Sequence, residues 1–101
     1  MSQTHQHIKR LIEIRDKAVE SKDESITEQE LKDLSTEAIS LAERSEILDQ
    51  SKYDVLKQLM DYEIRSYKGQ RDFNISLKSR AENLIFFCVS VITIIHGKID
   101  I

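Results

Sequence analysis

The chain contains no proline and no tryptophan, and only two glycines, Gly69 and Gly97, among its 101 residues. With no backbone breaker between Met1 and Lys68, long helices are favoured over many short strands. Cysteine is as scarce. Cys88 alone cannot close an internal disulfide, so nothing calls for an oxidising compartment, and a thiol inside an apolar run is read as packing. The opening residues Met1 to His7 lack a basic patch followed by an apolar stretch, so no secretory signal is expected and the cytoplasm is the expected location. A membrane-length hydrophobic run is missing too. The uncharged apolar run Leu84 to Ile95 has twelve residues, where a spanning helix needs roughly 18 to 20. Such a run reads first as a deeply buried element and second as a membrane contact.

Charge is abundant, at 33% of residues, but unevenly spread. Residues 1 to 63 carry nine Lys/Arg and fifteen Asp/Glu, net −6. Residues 64 to 80 carry Arg65, Lys68, Arg71, Lys78 and Arg80 against Asp72, net +4, and residues 81 to 101 are net −1, which together recover the whole-chain −3. A chain of this length makes one domain with a modest core and few residues to spare for an enclosed active site.

Four amphipathic segments follow from the 3.6-residue period. The first, about residues 4–22, opens at Thr4 as a candidate N-cap and aligns Ile8, Leu11, Ile12, the stem of Arg15, Ala18 and Val19. After the polar link 22–25, Thr27 with Glu30 forms a capping box, and Ile26 with Leu31 forms a hydrophobic staple, so a helix must start there. This second segment, about 28–50, aligns Leu31, Leu34, Ala38, Leu41, Ala42 and Leu48, widened by Ile39 and Ile47. Ser51 with Asp54 repeats the start signal more weakly. The third segment, about 52–68, then aligns Leu56, Leu59, Met60, Ile64 and Tyr67 up to Gly69, a suitable residue beyond a helix end. A turn across 69–74 leads to the fourth, about 75–96, with Leu77, Ala81, Leu84, Ile85, Cys88, Ile92 and Ile95 in phase and a stop at Gly97. Val89 to Ile95 also reads as a strand, being β-branched and loosely alternating. The expected fold is all-α, an antiparallel up-and-down four-helix bundle.

The fourth segment is apolar nearly all round, with Phe86, Phe87, Val91 and Ile94 off its main stripe. That is more than one bundle seam buries, which predicts a second contact: a dimer, a membrane surface or a membrane protein. The alternative is internal packing under the Phe73 loop and the final Ile99 and Ile101.

Chemistry-bearing patterns are few. His5 and His7 are two apart, a spacing that points them to different sides of a helix, so no metal is expected there. His96 stands before Gly97, where a cation suits a helix C-terminus. No phosphate loop, nucleophile elbow or Cys pair occurs, and carboxylates such as Glu28, Glu30, Asp33 and Glu37 fall on a periodic polar face. No His lies four to six residues after an Arg, as a helical ribonuclease of that design requires. Neither enzyme activity nor any cofactor is expected. The cluster Arg65, Lys68, Arg71, Lys78 and Arg80 with Tyr67 and Phe73 could bind phosphate, but an acidic chain of pI about 5.6 repels a polyanion, so nucleic acid is not the expected partner. Basic residues just ahead of an apolar segment suit the cytoplasmic face of a membrane, whose anionic lipids attract them. Tyr62, Tyr67 and Phe73 suit the same zone. Arg65, Lys68, Arg71, Lys78 and Arg80 are therefore the candidates for steering, and Phe86, Phe87, Val91 and Ile94 for apolar contact.

The layout resembles the immunity proteins of pediocin-like (class IIa) bacteriocins, of the enterocin A immunity type. The likeness covers residues 7 to 88. It rests on a first helix beginning His7 to Ile14, a second ending Leu41-Ala42-Glu43-Arg44, and a third region Tyr53 to Ile64 followed by Tyr67 and a turn into Ile75-Ser76-Leu77. The resemblance implies a cytosolic four-helix bundle that protects the producing cell. It implies action from inside, at the membrane-embedded mannose transporter with its bound bacteriocin, and a C-terminal half that sets which bacteriocin is resisted. The long apolar run and the acidic first half depart from that family, and they equally fit a regulatory or adaptor bundle, phage-encoded or chaperone-like, that dimerises or holds a partner helix. A peripheral protein anchored by its own tail is a third expectation.

Overall fold

The computed structural model describes residues 3–21, 26–45, 49–65 and 77–96. They form four helices and no strand: α1 (Gln3–Ser21), α2 (Glu28–Glu43), α3 (Gln50–Arg65) and α4 (Leu77–His96). The stretch from Val89 to Ile95 lies inside α4, so helical phase outweighs its β-branched content. Ile47, Leu48, Tyr67, Gly69, Phe73, Gly97, the turn at 69–74 and the tail isoleucines lie outside the described residues, as do the side chains of Thr4, Leu77 and His96.

The start of α2 is the local feature that sequence specifies best. The backbone N–H of Glu30 donates to the Thr27 hydroxyl at 3.0 Å, and the Thr27 N–H donates back to the Glu30 carboxylate at 3.1 Å. The Thr27 N–H, and after it the Thr27 hydroxyl, donate to the Glu30 carboxylate and hold it below its usual range. Ile26 and Leu31 on either side are both buried.

Other ends differ from expectation. Helix α2 stops at Glu43, with Arg44 as its C-cap, rather than running to residue 50. The interruption arises at Asp49, whose carboxylate accepts from the N–H of Lys52 at 3.1 Å and so caps α3. Asp49, not Ser51, is the cap, because a carboxylate one position before Gln50 meets the third N–H of the new helix. Helix α1 opens at Gln3, which puts Thr4 inside it.

Among the described residues, α4 touches all three other helices, most extensively α1, while α1 and α3 do not meet. Contact with three helices, which α2 also makes, calls for apolar groups on more than one side of α4. A helix facing three neighbours buries two adjoining stripes: Ala81, Leu84, Cys88, Val91 and Ile95, and alongside them Arg80, Phe87 and Ile94. The core adds Ile8, Leu11, Ile14 and Ala18 from α1, Leu31, Ala38, Leu41 and Ala42 from α2, and Tyr53, Leu56 and Met60 from α3. Phe87 is the largest fully buried side chain and packs tilted against Tyr53, ring centres 6.5 Å apart. In α1 the expected Val19 is 47% exposed and Ile14 takes the core position, because the buried face follows Leu11, Ile14 and Ala18.

Polar contacts tie neighbouring helices together. The Ser45 hydroxyl donates to the Leu41 carbonyl at 2.7 Å, which leaves its oxygen to accept from Nδ1 of His7 at 3.1 Å. Arg10 grips Glu37 through Nε at 2.6 Å and Nη2 at 2.9 Å. Its guanidinium holds the Glu37 carboxyl below the usual range. Glu43 joins Lys57 and accepts from the Tyr53 hydroxyl at 3.3 Å.

Candidate functional site

Helix α3 carries two apolar ridges one residue out of step, about 100° apart around the helix. Tyr53, Leu56, Met60 and the carboxylate-bearing Glu63 face inward and are buried. Val55, Leu59 and Tyr62, at spacings of four and three, face out and are 58%, 60% and 50% exposed. On α4, Phe86 and Val89 stand exposed beside them. The expected stripe had placed Leu59 in the core with Leu56. The structure corrects this, because the ridge that includes Tyr53 has the better fit against Phe87.

Between the two helices run two hollows that share Leu56. One, of about 190 Å³, is walled by Leu59, Met60, Phe86 and Phe87, with Glu63 and Asn83 at its polar end. The other, about 450 Å³ and more open, lies among Val55, Val89, Ser90, Thr93 and Ile94, with Lys52 at its rim. The face is therefore apolar along its length and polarised at its ends, with carboxylate and amide at one and ammonium at the other.

The polar end is built, not incidental. Nη1 of Arg80 donates to Oε2 of Glu63 at 3.3 Å and to the Glu63 carbonyl at 3.4 Å, and Nδ2 of Asn83 donates to Oε1 at 3.0 Å. Arg80 and Glu63 side chains are only 3% and 10% exposed. Buried charges survive only when paired and hydrogen-bonded, and this pair ties the last turn of α3 to the first turn of α4.

This placement corrects part of the expected site. Arg80 does not face an anionic surface, because Glu63 holds it in the interior. Phe87, Val91 and Ile94 are buried at 2%, 0% and 8%, since α4 spends them on neighbouring helices. Phe86 remains available. Of the basic group, Arg65 and Lys78 are exposed near the Glu63 end, and Lys68 and Arg71 lie outside the described residues. Val55, Leu59 and Val89 are the members of the face not expected from sequence, while Tyr62 is exposed there as its membrane-side reading asked. The clue was the second ridge of α3, with its own helical spacing.

Other chemistry is absent among the described residues: no cluster of His, Cys, Asp and Glu could hold a metal, and no helix is long and apolar enough to cross a membrane. His7 is buried against Ser45 while His5 is exposed. Burial pushes the Cys88 thiol up to about 12, so at neutral pH it is protonated and inert. No protein-family model, curated protein or solved structure matches this chain, which leaves its function to be argued from these residues.

Proposed function

We propose that the chain is a non-enzymatic interaction module, and specifically a bacteriocin immunity protein working from the cytosolic side on a bacteriocin-bound membrane transporter. The observation that carries the interaction reading is the exposed apolar face of Val55, Leu59, Tyr62, Phe86 and Val89. Large contiguous apolar patches on small proteins serve contacts. The specific reading adds the resemblance of residues 7 to 88 to the pediocin-like immunity family, in which the C-terminal half sets specificity. All five face residues lie in that half. Arg65 and Lys78, exposed at one end of the face, suit approach to an anionic membrane surface.

An antiparallel up-and-down order belongs to the same proposal. His7 early in α1 meets Ser45 just after α2, Glu43 late in α2 meets Tyr53 early in α3, and Glu63 late in α3 meets Arg80 early in α4. Each pairing joins one helix's beginning to another's end, which supports that order.

The test is survival. Expressed in a bacteriocin-sensitive lactic acid bacterium, the chain should protect against one or a few pediocin-like peptides, and Leu59→Glu should abolish protection while leaving the helical content unchanged. A folded protein that protects against no member of the panel sinks the immunity reading. The adaptor reading then takes its place, favoured by the two hollows along the face, which suit the side chains of a partner helix.

A further inference from the structure

We infer that the hydrogen bond between His7 and Ser45 is a latch with a fixed proton direction. The imidazole donates through Nδ1, so the latch stays closed in both charge states of the ring. It involves α1 and the end of α2, not the residues of the exposed α3–α4 face, and it is independent of what that face contacts.

Ser45 follows Arg44, the C-cap of α2, and spends both of its protons on that helix. Its N–H donates to the Ala42 carbonyl at 3.1 Å, and its hydroxyl donates to the Leu41 carbonyl at 2.7 Å. Carbonyls of the last helical turn, which have no partner within the helix, are satisfied this way. A carbonyl oxygen only accepts. A hydroxyl oxygen at 2.7 Å from it is an ordinary O–H···O bond, with the hydroxyl proton lying between the two. The Ser45 oxygen is then left with lone pairs alone to offer His7. Nδ1 of His7 stands 3.1 Å away, an ordinary length for N–H···O, and must bring the proton itself.

A neutral imidazole carries a proton on one nitrogen and a lone pair on the other, and the imidazolium carries a proton on both. With the single proton on Nδ1, acidification adds one at Nε2 and leaves the bond to Ser45 in place. A ring that accepted through Nδ1 would lose its bond at that step. Neighbouring charges are engaged elsewhere or lie exposed. On α1, Arg10 turns to Glu13 and Glu37, and His5 and Lys9 are exposed. At the end of α2, Glu43 meets Lys57 and Tyr53, while Nε of Arg44 donates to the Ser40 carbonyl. On α4, which packs against α1, Arg80 meets Glu63, Lys78 and Glu82 are exposed, and the side chain of His96 lies outside the described residues. His7 is buried, so water competes little for its bond.

The test is NMR of the full chain with 15N-labelled histidine from about pH 8 to about pH 5, across the range in which histidine ordinarily titrates. Long-range proton–nitrogen correlation reads each ring nitrogen separately, and His7→Gln identifies the His7 signals by their loss. At the upper pH, Nδ1 of His7 should be protonated and Nε2 bare. At the lower pH both should be protonated, and the Overhauser contact between the His7 ring and Ser45 should persist. Ser45→Ala should release the ring from the Nδ1–H form, and Ser45→Thr, which keeps the hydroxyl, should retain it. Circular dichroism separates a misfolded variant from an opened latch, and the wild-type spectrum decides alone if a variant fails to fold. A bare Nδ1 at the upper pH overturns the assigned direction. Loss of the contact on acidification overturns the latch, as does an Nδ1–H form unchanged by Ser45→Ala in a folded chain. None of these outcomes bears on protection against bacteriocins, which is measured separately.

Discussion

The two halves of the molecule solve the problem of their outer surfaces in opposite ways. Helices α1 and α2 cover theirs with charge: Arg10 spans Glu13 and Glu37, Arg15 pairs with Asp16, and Val19 is the lone large apolar side chain left exposed among the described residues of that half. Helices α3 and α4 put an ion pair inside, Glu63 with Arg80, and leave five large apolar side chains outside. A protein concerned only with folding does the reverse, since buried ions cost desolvation and exposed apolar groups risk association. The inversion puts nearly all of the large exposed apolar surface of the described residues in the second half.

Removing the side chain of Arg80 breaks that contrast most sharply. Arg80→Ala leaves the Glu63 carboxylate buried without its cation and should cost about 3 to 5 kcal/mol in urea unfolding. Arg10→Ala removes a shorter, two-bonded pair on the surface and should nevertheless cost only about 1 kcal/mol or less. Neighbouring phenylalanines sharpen the comparison. Phe87→Ala opens the core against Tyr53 and should also lose about 3 to 5 kcal/mol. Phe86→Ala should change stability by no more than about 0.5 kcal/mol yet weaken whatever contact the face makes. Equal destabilisation by the two would show that the face is part of the core.

Smaller effects belong to the charged half. Thr27→Ala, which removes the cap of α2, should cost about 1 kcal/mol with no loss of protection. Glu37 titrates below the ordinary carboxylate range because Arg10 bonds its charged form. Its contribution is present above about pH 4.3, where the unfolded carboxylate is ionised, and is lost as pH falls through the lower folded value. Glu37→Gln should therefore flatten part of the acid-side loss of stability. An unchanged acid limb would remove the Arg10–Glu37 contact from the stability balance.

Much of this half was legible in sequence because its signals are local. Thr27 and Glu30 define a helix start within four residues, and the all-helical class follows from the missing proline. The site was less legible. Periodicity showed that α3 was amphipathic but not which of its two ridges, Tyr53–Leu56–Met60 or Val55–Leu59–Tyr62, would face inward. That choice is made by Phe87, thirty-four residues after Tyr53 in the chain. The excess apolar surface of α4 was visible, but its use was misjudged: contact with three helices consumes Phe87, Val91 and Ile94 and leaves Phe86. The Glu63–Arg80 pair had no sequence signature, since two charges far apart in the chain look like any two charges.

That pair also bears on how the molecule can vary. By holding the end of α3 and the start of α4 together from within, it fixes the register of the two helices that carry the exposed face, so substitutions on that face can change its chemistry without shifting its ridge against its hollows.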